Sequence, residues 1–164
     1  MSNLHTANDF AKWMNPKKGE YHIETIILYG SVALRGEGKD IDIMLVHHNT
    51  VFEEIQRMIF EKKFKNAYDV FLKINKSLQT NNYAPIYDLL EIDSCNRALR
   101  DDLLHIRFVD VRTFSDKKFY DIEYSRNITK TFFEDVLKYA WTWNPKTEKF
   151  DIPMRDVYKI SLVK

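Results

Sequence analysis

The stretch Ile26-Ile27-Leu28-Tyr29-Gly30-Ser31-Val32-Ala33-Leu34-Arg35-Gly36-Glu37-Gly38-Lys39-Asp40-Ile41-Asp42-Ile43-Met44-Leu45-Val46 holds three of the chain's four glycines. An apolar strand runs into a Gly-Ser turn, and a second strand opens on Asp-x-Asp. Glycine lets the backbone approach an anion closely, and the N–H groups that follow can point at it. A helix starting at Ser31 adds its N-terminal partial charge. Strand alternation places the Asp40 and Asp42 carboxylates on one face, opposite Ile41, Ile43 and Leu45. Carboxylates that close repel, and joint ionisation is disfavoured unless a cation lies between them. Hard oxygens of this kind suit Mg²⁺ or Mn²⁺, which takes a couple of carboxylates together with phosphate oxygens. The plainer alternative is an exposed strand face whose acids pair with Arg35 or Lys39.

Outward from this stretch, Asn8 to Met14 reads as a short amphipathic helix capped by Asn8 and ended by Pro16 and Gly19. Ile23 to Tyr29 is an apolar run bounded by a turn, which predicts a buried strand, and Asp40 to Val46 predicts a second. Residues 50–79 predict helix in two pieces. Phe52, Ile55 and Ile59 form one stripe, and Phe64, Ala67, Tyr68, Phe71, Leu72 and Leu78 form the other. Pro85 forbids an unbroken helix across 80–102. Ile106 to Val111 predicts a third strand, with Ile106, Phe108 and Asp110 on one face. Thr131-Phe132-Phe133-Glu134 has the spacing of a capping box and predicts a helix from there to about Trp143, closed by Pro145. Val157 to Val163 reads as a last edge strand. The pattern predicts an α/β (α+β) fold, a small mixed sheet with helices packed on it. It reads as one domain over 1–164, with a core at about 20–115 and a C-terminal extension at about 116–164.

Composition sets the broad class. The 164 residues are 45% apolar, 30% charged and 14% aromatic, with net charge +1. That length buries a sizeable core, and the balance is that of a soluble globular protein. The near-zero charge gives no global field toward nucleic acid or anionic membrane. Cys95 is the single cysteine, which excludes an internal disulfide and argues against a cysteine-based zinc site. No run approaches the ~18 apolar residues of a membrane span, and the N-terminus lacks a signal-peptide core. The expected compartment is cytoplasmic.

The ordered pattern of strand, Gly30-Ser31, Arg35-Gly36 and Asp40-x-Asp42 resembles the polymerase-β-type nucleotidyltransferase superfamily, and within it the minimal nucleotidyltransferase branch. The resemblance spans Glu24 to His48. Lys39 stands where the family commonly has serine, and the loop is shorter than usual. The resemblance implies a palm-like fold and two-metal transfer of a nucleoside monophosphate from an NTP, ATP first, to an acceptor hydroxyl. It makes Asp40 and Asp42 metal ligands and catalytic residues. Gly30 and Ser31 hold the β- and γ-phosphates, with Arg35 and Lys39 as further nucleotide contacts. It also implies a third carboxylate from a later strand, for which Asp110 is the best match and Asp88 and Asp93 are the rivals. A plainer role for Asp110 is pairing with Arg112.

Antibiotic-modifying relatives usually carry an extra helical domain, and residues 111–164 are short for one. The expected acceptor is therefore macromolecular, a protein or a tRNA. The competing reading is a catalytically silent binding or regulatory module on the same fold. The remaining candidates read as structural. His47 and His48 invite a metal but suit a surface turn. Tyr120, Tyr124 and Arg126 suit core or surface better than a base pocket. Trp141 and Trp143 suit packing better than stacking on nucleic acid.

Overall fold

The structure is a computed structural model that describes residues 3–114 and 137–158. Its centre is a five-stranded mixed sheet in the order β3-β2-β1-β4-β5. The strands are β1 (Ile23–Tyr29), β2 (Ile41–His47), β3 (Leu104–Asp110), β4 (Trp141–Asn144) and β5 (Lys149–Pro153). β1 runs antiparallel to β2 and β4, β5 runs antiparallel to β4, and β2 and β3 are parallel. A parallel pair needs a long crossover. Here it is supplied by α4 (Thr50–Phe60), α5 (Ala67–Thr80), a 3₁₀ turn at Tyr87–Glu91 and α6 (Asp93–Arg100). This is the mixed α+β architecture that the sequence predicts.

The sheet is buried on both faces, which is why β1 and β2 read as nearly continuous apolar runs. On one face Ile26, Leu28, Ile41, Ile43, Leu45, Ile106 and Phe108 pack under α1 (Asn3–Met14), α4, α5 and α6. On the other, Ile27, Tyr29, Met44, Val46 and Val109 meet Leu137, Ala140 and Met154. Phe10, Phe71 and Phe108 are fully buried and contribute about 1.5–3 kcal/mol each. The helices start where the sequence supplies a cap. Asn49 accepts from the Val51 N–H at 3.0 Å to open α4, and Asn66 accepts from the Asp69 N–H at 2.9 Å to open α5.

Several elements differ from expectation. The first helix begins at Asn3 rather than Asn8, and Pro16 does not stop the chain. It sits at the start of a 3₁₀ turn, Asn15–Lys17, where its missing N–H leaves nothing unsatisfied, and α2 (Lys18–Tyr21) follows. The predicted helix end at Trp143 is instead β4, preceded by a 3₁₀ turn at Leu137–Tyr139. Val157 and Tyr158, expected to open an edge strand, instead close a helix, α7 (Met154–Tyr158). The Thr131 capping box and residues 159–163 of that strand lie outside the described residues, as do Tyr120, Tyr124 and Arg126. No described helix is long and apolar enough to cross a membrane.

Candidate functional site

The link between β1 and β2 is folded back on itself. β1 ends at Tyr29, which pairs with Asp42, so the turn that follows closes directly over the start of β2. Gly30 takes φ +78° and opens the six-residue helix α3 (Gly30–Arg35). Gly36 ends it at φ +79°, its N–H donating to Val32 O at 2.8 Å. A Cβ on Gly30 would lie 2.5 Å from Asp42 Oδ2, so only glycine lets the backbone lie against this carboxylate. A Cβ on Gly38 would lie 1.9 Å from Ser31 Oγ, so the second glycine lets the loop fold onto the serine. Asn3 Nδ2 donates to Gly38 O, and Trp141 Nε1 donates to Ala33 O at 3.2 Å. Helix α1 and strand β4 thus hold the turn from two sides.

Asp42 is half-buried, and its carboxyl is pushed above the usual range. Burial is the main cause and the neighbouring Asp40 adds to it, while His105 and Arg107 act against it. Asp40 occupies the bend just before β2. Burial and the charge of Asp42 also push the Tyr29 hydroxyl up, with Arg107 opposing. Ionised Asp42 is therefore held in a poor environment, one that a bound cation would relieve. Arg35 and Lys39 are exposed on the rim of the turn.

Asp110 does not join this group. β2 and β3 are parallel and in register, so Asp42 pairs with His105, whereas Asp110 pairs with His47 at the far end. Five residues of strand separate positions 105 and 110, roughly 16 Å. Asp110 instead accepts from the Arg112 N–H at 2.8 Å, Nε at 2.9 Å and Nη2 at 2.7 Å. Burial pushes its carboxyl up, but these bonds and the Arg112 charge outweigh that and leave it below its ordinary value. The assignment of Asp110 as third ligand is corrected accordingly. Asp110→Asn should leave any transfer activity within a few-fold of the parent and lower stability by at most about 1–2 kcal/mol, checked by turnover and thermal melts.

The rivals have partners of their own. Asp88 accepts from Trp13 Nε1 at 3.2 Å and pairs with Lys17 at 3.3 Å. Asp93 pairs with Arg97. What does stand beside Asp42 is His105, missed in the sequence because the third strand begins two residues earlier than its apolar run suggests. His105 Nδ1 lies 3.9 Å from Asp42 Oδ1, while Nε2 lies 3.0 Å from Asp102 O and 3.2 Å from Asp102 Oδ1. Among the described residues, no three carboxylate, imidazole or thiol groups stand close enough to hold a metal by themselves.

A cleft of about 300 Å³ opens along the outer edge of β3 and reaches His105. Lys62, Lys65 and Arg107 bring positive charge to it, Asp102 a negative one, and Phe64 and Ile106 are among its apolar lining.

His47 and His48 part company. His47 is 1% exposed, accepts from the Asn49 N–H at Nδ1 (2.9 Å) and packs edge-on against Phe52 and Phe108. His48 is exposed against His22. Burial holds the His47 imidazole down to about 4, against an ordinary value of 6.5, with Asp110 opposing. The unfolded chain therefore takes up a proton that the folded chain refuses. This contribution to stability is complete above 6.5 and is lost as pH falls from 6.5 to about 4, by up to about 3 kcal/mol. Thermal melts between pH 7 and 4 should show that slope, and His47→Leu should flatten it.

Trp141 and Trp143 are packing residues of β4, Trp143 lying 5.2 Å from the Phe150 ring. Comparison with protein-family models, curated proteins and solved structures finds no match for this chain.

Proposed function

We propose that the protein is a metal-dependent nucleotidyltransferase. It moves a nucleoside monophosphate from an NTP, ATP first, to a hydroxyl of a protein or tRNA acceptor and releases pyrophosphate. The observation that carries this reading is that the Gly30 turn lies so near the Asp42 carboxylate that a Cβ on Gly30 would come to 2.5 Å from Oδ2. It supports a glycine turn that takes phosphate beside a carboxylate that takes a cation.

The donor set fits Mg²⁺ or Mn²⁺. Asp40 and Asp42 supply hard oxygens, and Asp42 is ionised only against burial and the charge of Asp40. These two residues would hold the ion, with phosphate oxygens and water completing its shell. When bound, the ion offsets the charge that builds on the transferring phosphate. The rest falls to the chain. The turn at Gly30-Ser31 orients the β- and γ-phosphates, and Arg35 and Lys39 reach the nucleotide from the rim. The cleft beside β3 supports a path by which the acceptor reaches Asp42. There the acceptor oxygen bonds to the α-phosphorus, and the bond from that phosphorus to the oxygen bridging to the β-phosphate breaks. Pyrophosphate departs with that oxygen, and the hydroxyl proton passes to solvent water. Positioning and fixed charge account for most of the acceleration in such a site.

Incubation with each α-labelled NTP, Mg²⁺ or Mn²⁺ and cell extract tests this reading. Label should pass into a product destroyed by protease or by nuclease, naming the acceptor class. The silent-module reading draws on one observation, that the strand position beside Asp42 carries His105 rather than a carboxylate. It predicts calorimetric binding of ATP with Mg²⁺ and no pyrophosphate release with any acceptor.

A further inference from the structure

We propose that His105 is a direct ligand of the divalent cation through Nδ1, forming with Asp42 a mixed nitrogen–oxygen site that prefers first-row transition metals to Mg²⁺. This rests on the reading that a cation binds at Asp42. The parallel register sets the two side chains side by side on neighbouring strands. Each is about one-quarter exposed, so an ion can reach the pair.

The tautomer follows from the partners of the ring. Nε2 faces two pure acceptors, the carbonyl and carboxylate oxygens of Asp102 at 3.0 and 3.2 Å, so Nε2 carries the proton. In the neutral ring, the form that binds a metal, Nδ1 then keeps its lone pair, 3.9 Å from Asp42 Oδ1. At 3.9 Å that gap is too long for a hydrogen bond. It is short enough for one ion to bridge, since metal–nitrogen and metal–oxygen bonds run about 2.0–2.2 Å. Asp102 is itself held, because its Oδ1 accepts from the Ala67 N–H at 2.7 Å at the start of α5. An imidazole whose second nitrogen donates to an anchored carboxylate is the usual arrangement of a metal-bound histidine, which fixes the ring and raises its basicity.

The nitrogen donor sets the selectivity. Mg²⁺ favours oxygen ligands, whereas imidazole suits the later first-row metals. The site should therefore take Co²⁺ ahead of Mg²⁺, with Mn²⁺ between them. Arg107, two residues along the same face at the register of Met44, opposes any cation here. Asp40 offsets it.

The test is cobalt and manganese binding to the full chain without nucleotide, read by visible absorption for Co²⁺ and by electron paramagnetic resonance for Mn²⁺, each competed with Mg²⁺. The parent should bind Co²⁺ about tenfold or more tightly than Mg²⁺. His105→Ala should weaken Co²⁺ binding by about tenfold or more and change Mg²⁺ binding little. His105→Asp should bind Mg²⁺ better than the parent and lose the cobalt preference, which separates ligand loss from damage to β3. If His105→Ala bound Co²⁺ like the parent while Asp42→Asn lost it, His105 would not be a ligand and the transferase reading would stand. If Asp42→Asn also bound Co²⁺ like the parent, both would fall.

Discussion

Asp42→Asn is expected to reduce nucleotidyl transfer by about three orders of magnitude, or about 4 kcal/mol of transition-state stabilisation. Asparagine keeps the shape but removes the charge that a cation requires. The same substitution should leave the metal-free protein as stable as the parent or more so. The folded-state carboxyl is held above its ordinary value by burial and by Asp40, so ionised Asp42 opposes folding at neutral pH. That penalty is absent at low pH and grows as pH rises through the raised value. A neutral amide escapes it. Activity and stability should therefore move apart, with turnover collapsing while the melting temperature holds or climbs. A residue with a purely structural role would lose both together.

Gly30→Ala is the second large effect. The new methyl would sit 2.5 Å from Asp42 Oδ2, a distance real Cβ atoms essentially never show. The backbone at φ +78° adds its own penalty of about 1–2 kcal/mol for any residue with a Cβ. Either the turn lifts or the carboxylate swings away. A displacement of about 1 Å at a reacting centre costs on the order of a hundredfold in rate. We expect at least that loss, together with about 2–3 kcal/mol of stability. Gly36→Ala is the matched control. Its φ of +79° carries the same backbone penalty, but nothing lies within 4 Å of the added methyl. It should be destabilised by about 1–2 kcal/mol and keep its turnover.

The parts of the site that were legible in the sequence are the local ones. Gly30, Ser31, Asp40 and Asp42 fall within one strand–turn–strand unit, so turn chemistry and the pairing of Tyr29 with Asp42 suffice to bring the glycine turn to Asp42. Asp40 lies in the bend before β2, outside the strand alternation expected to place it. β1 occupies the predicted Ile23–Tyr29, and β2 is offset from prediction by one residue at each end. The side chain that stands beside Asp42 arrives from β3 after a crossover of three helices. Which residue of β3 meets Asp42 is set by parallel register, and no local pattern encodes that. Asp110 is the only carboxylate in the strand and drew the assignment, yet register gives the place to His105.

Trp141-Thr142-Trp143 failed for a related reason. Its period of two competes with a helical stripe that includes Ala140 and Trp143, and pairing of β4 with β1 and β5 decides for the strand. His47 looked like a surface histidine because it ends a strand. Phe52 of α4 and Phe108 of β3 close over it only once the crossover is folded.

The most direct measurement is an anomalous difference map from crystals soaked with Mn²⁺ and a non-hydrolysable ATP analogue. The account predicts a manganese peak at the Asp42 carboxylate, with Asp40 beside it and triphosphate oxygens against the Gly30-Ser31 turn. Manganese absent from Asp42, with nucleotide bound elsewhere or not at all, would contradict it.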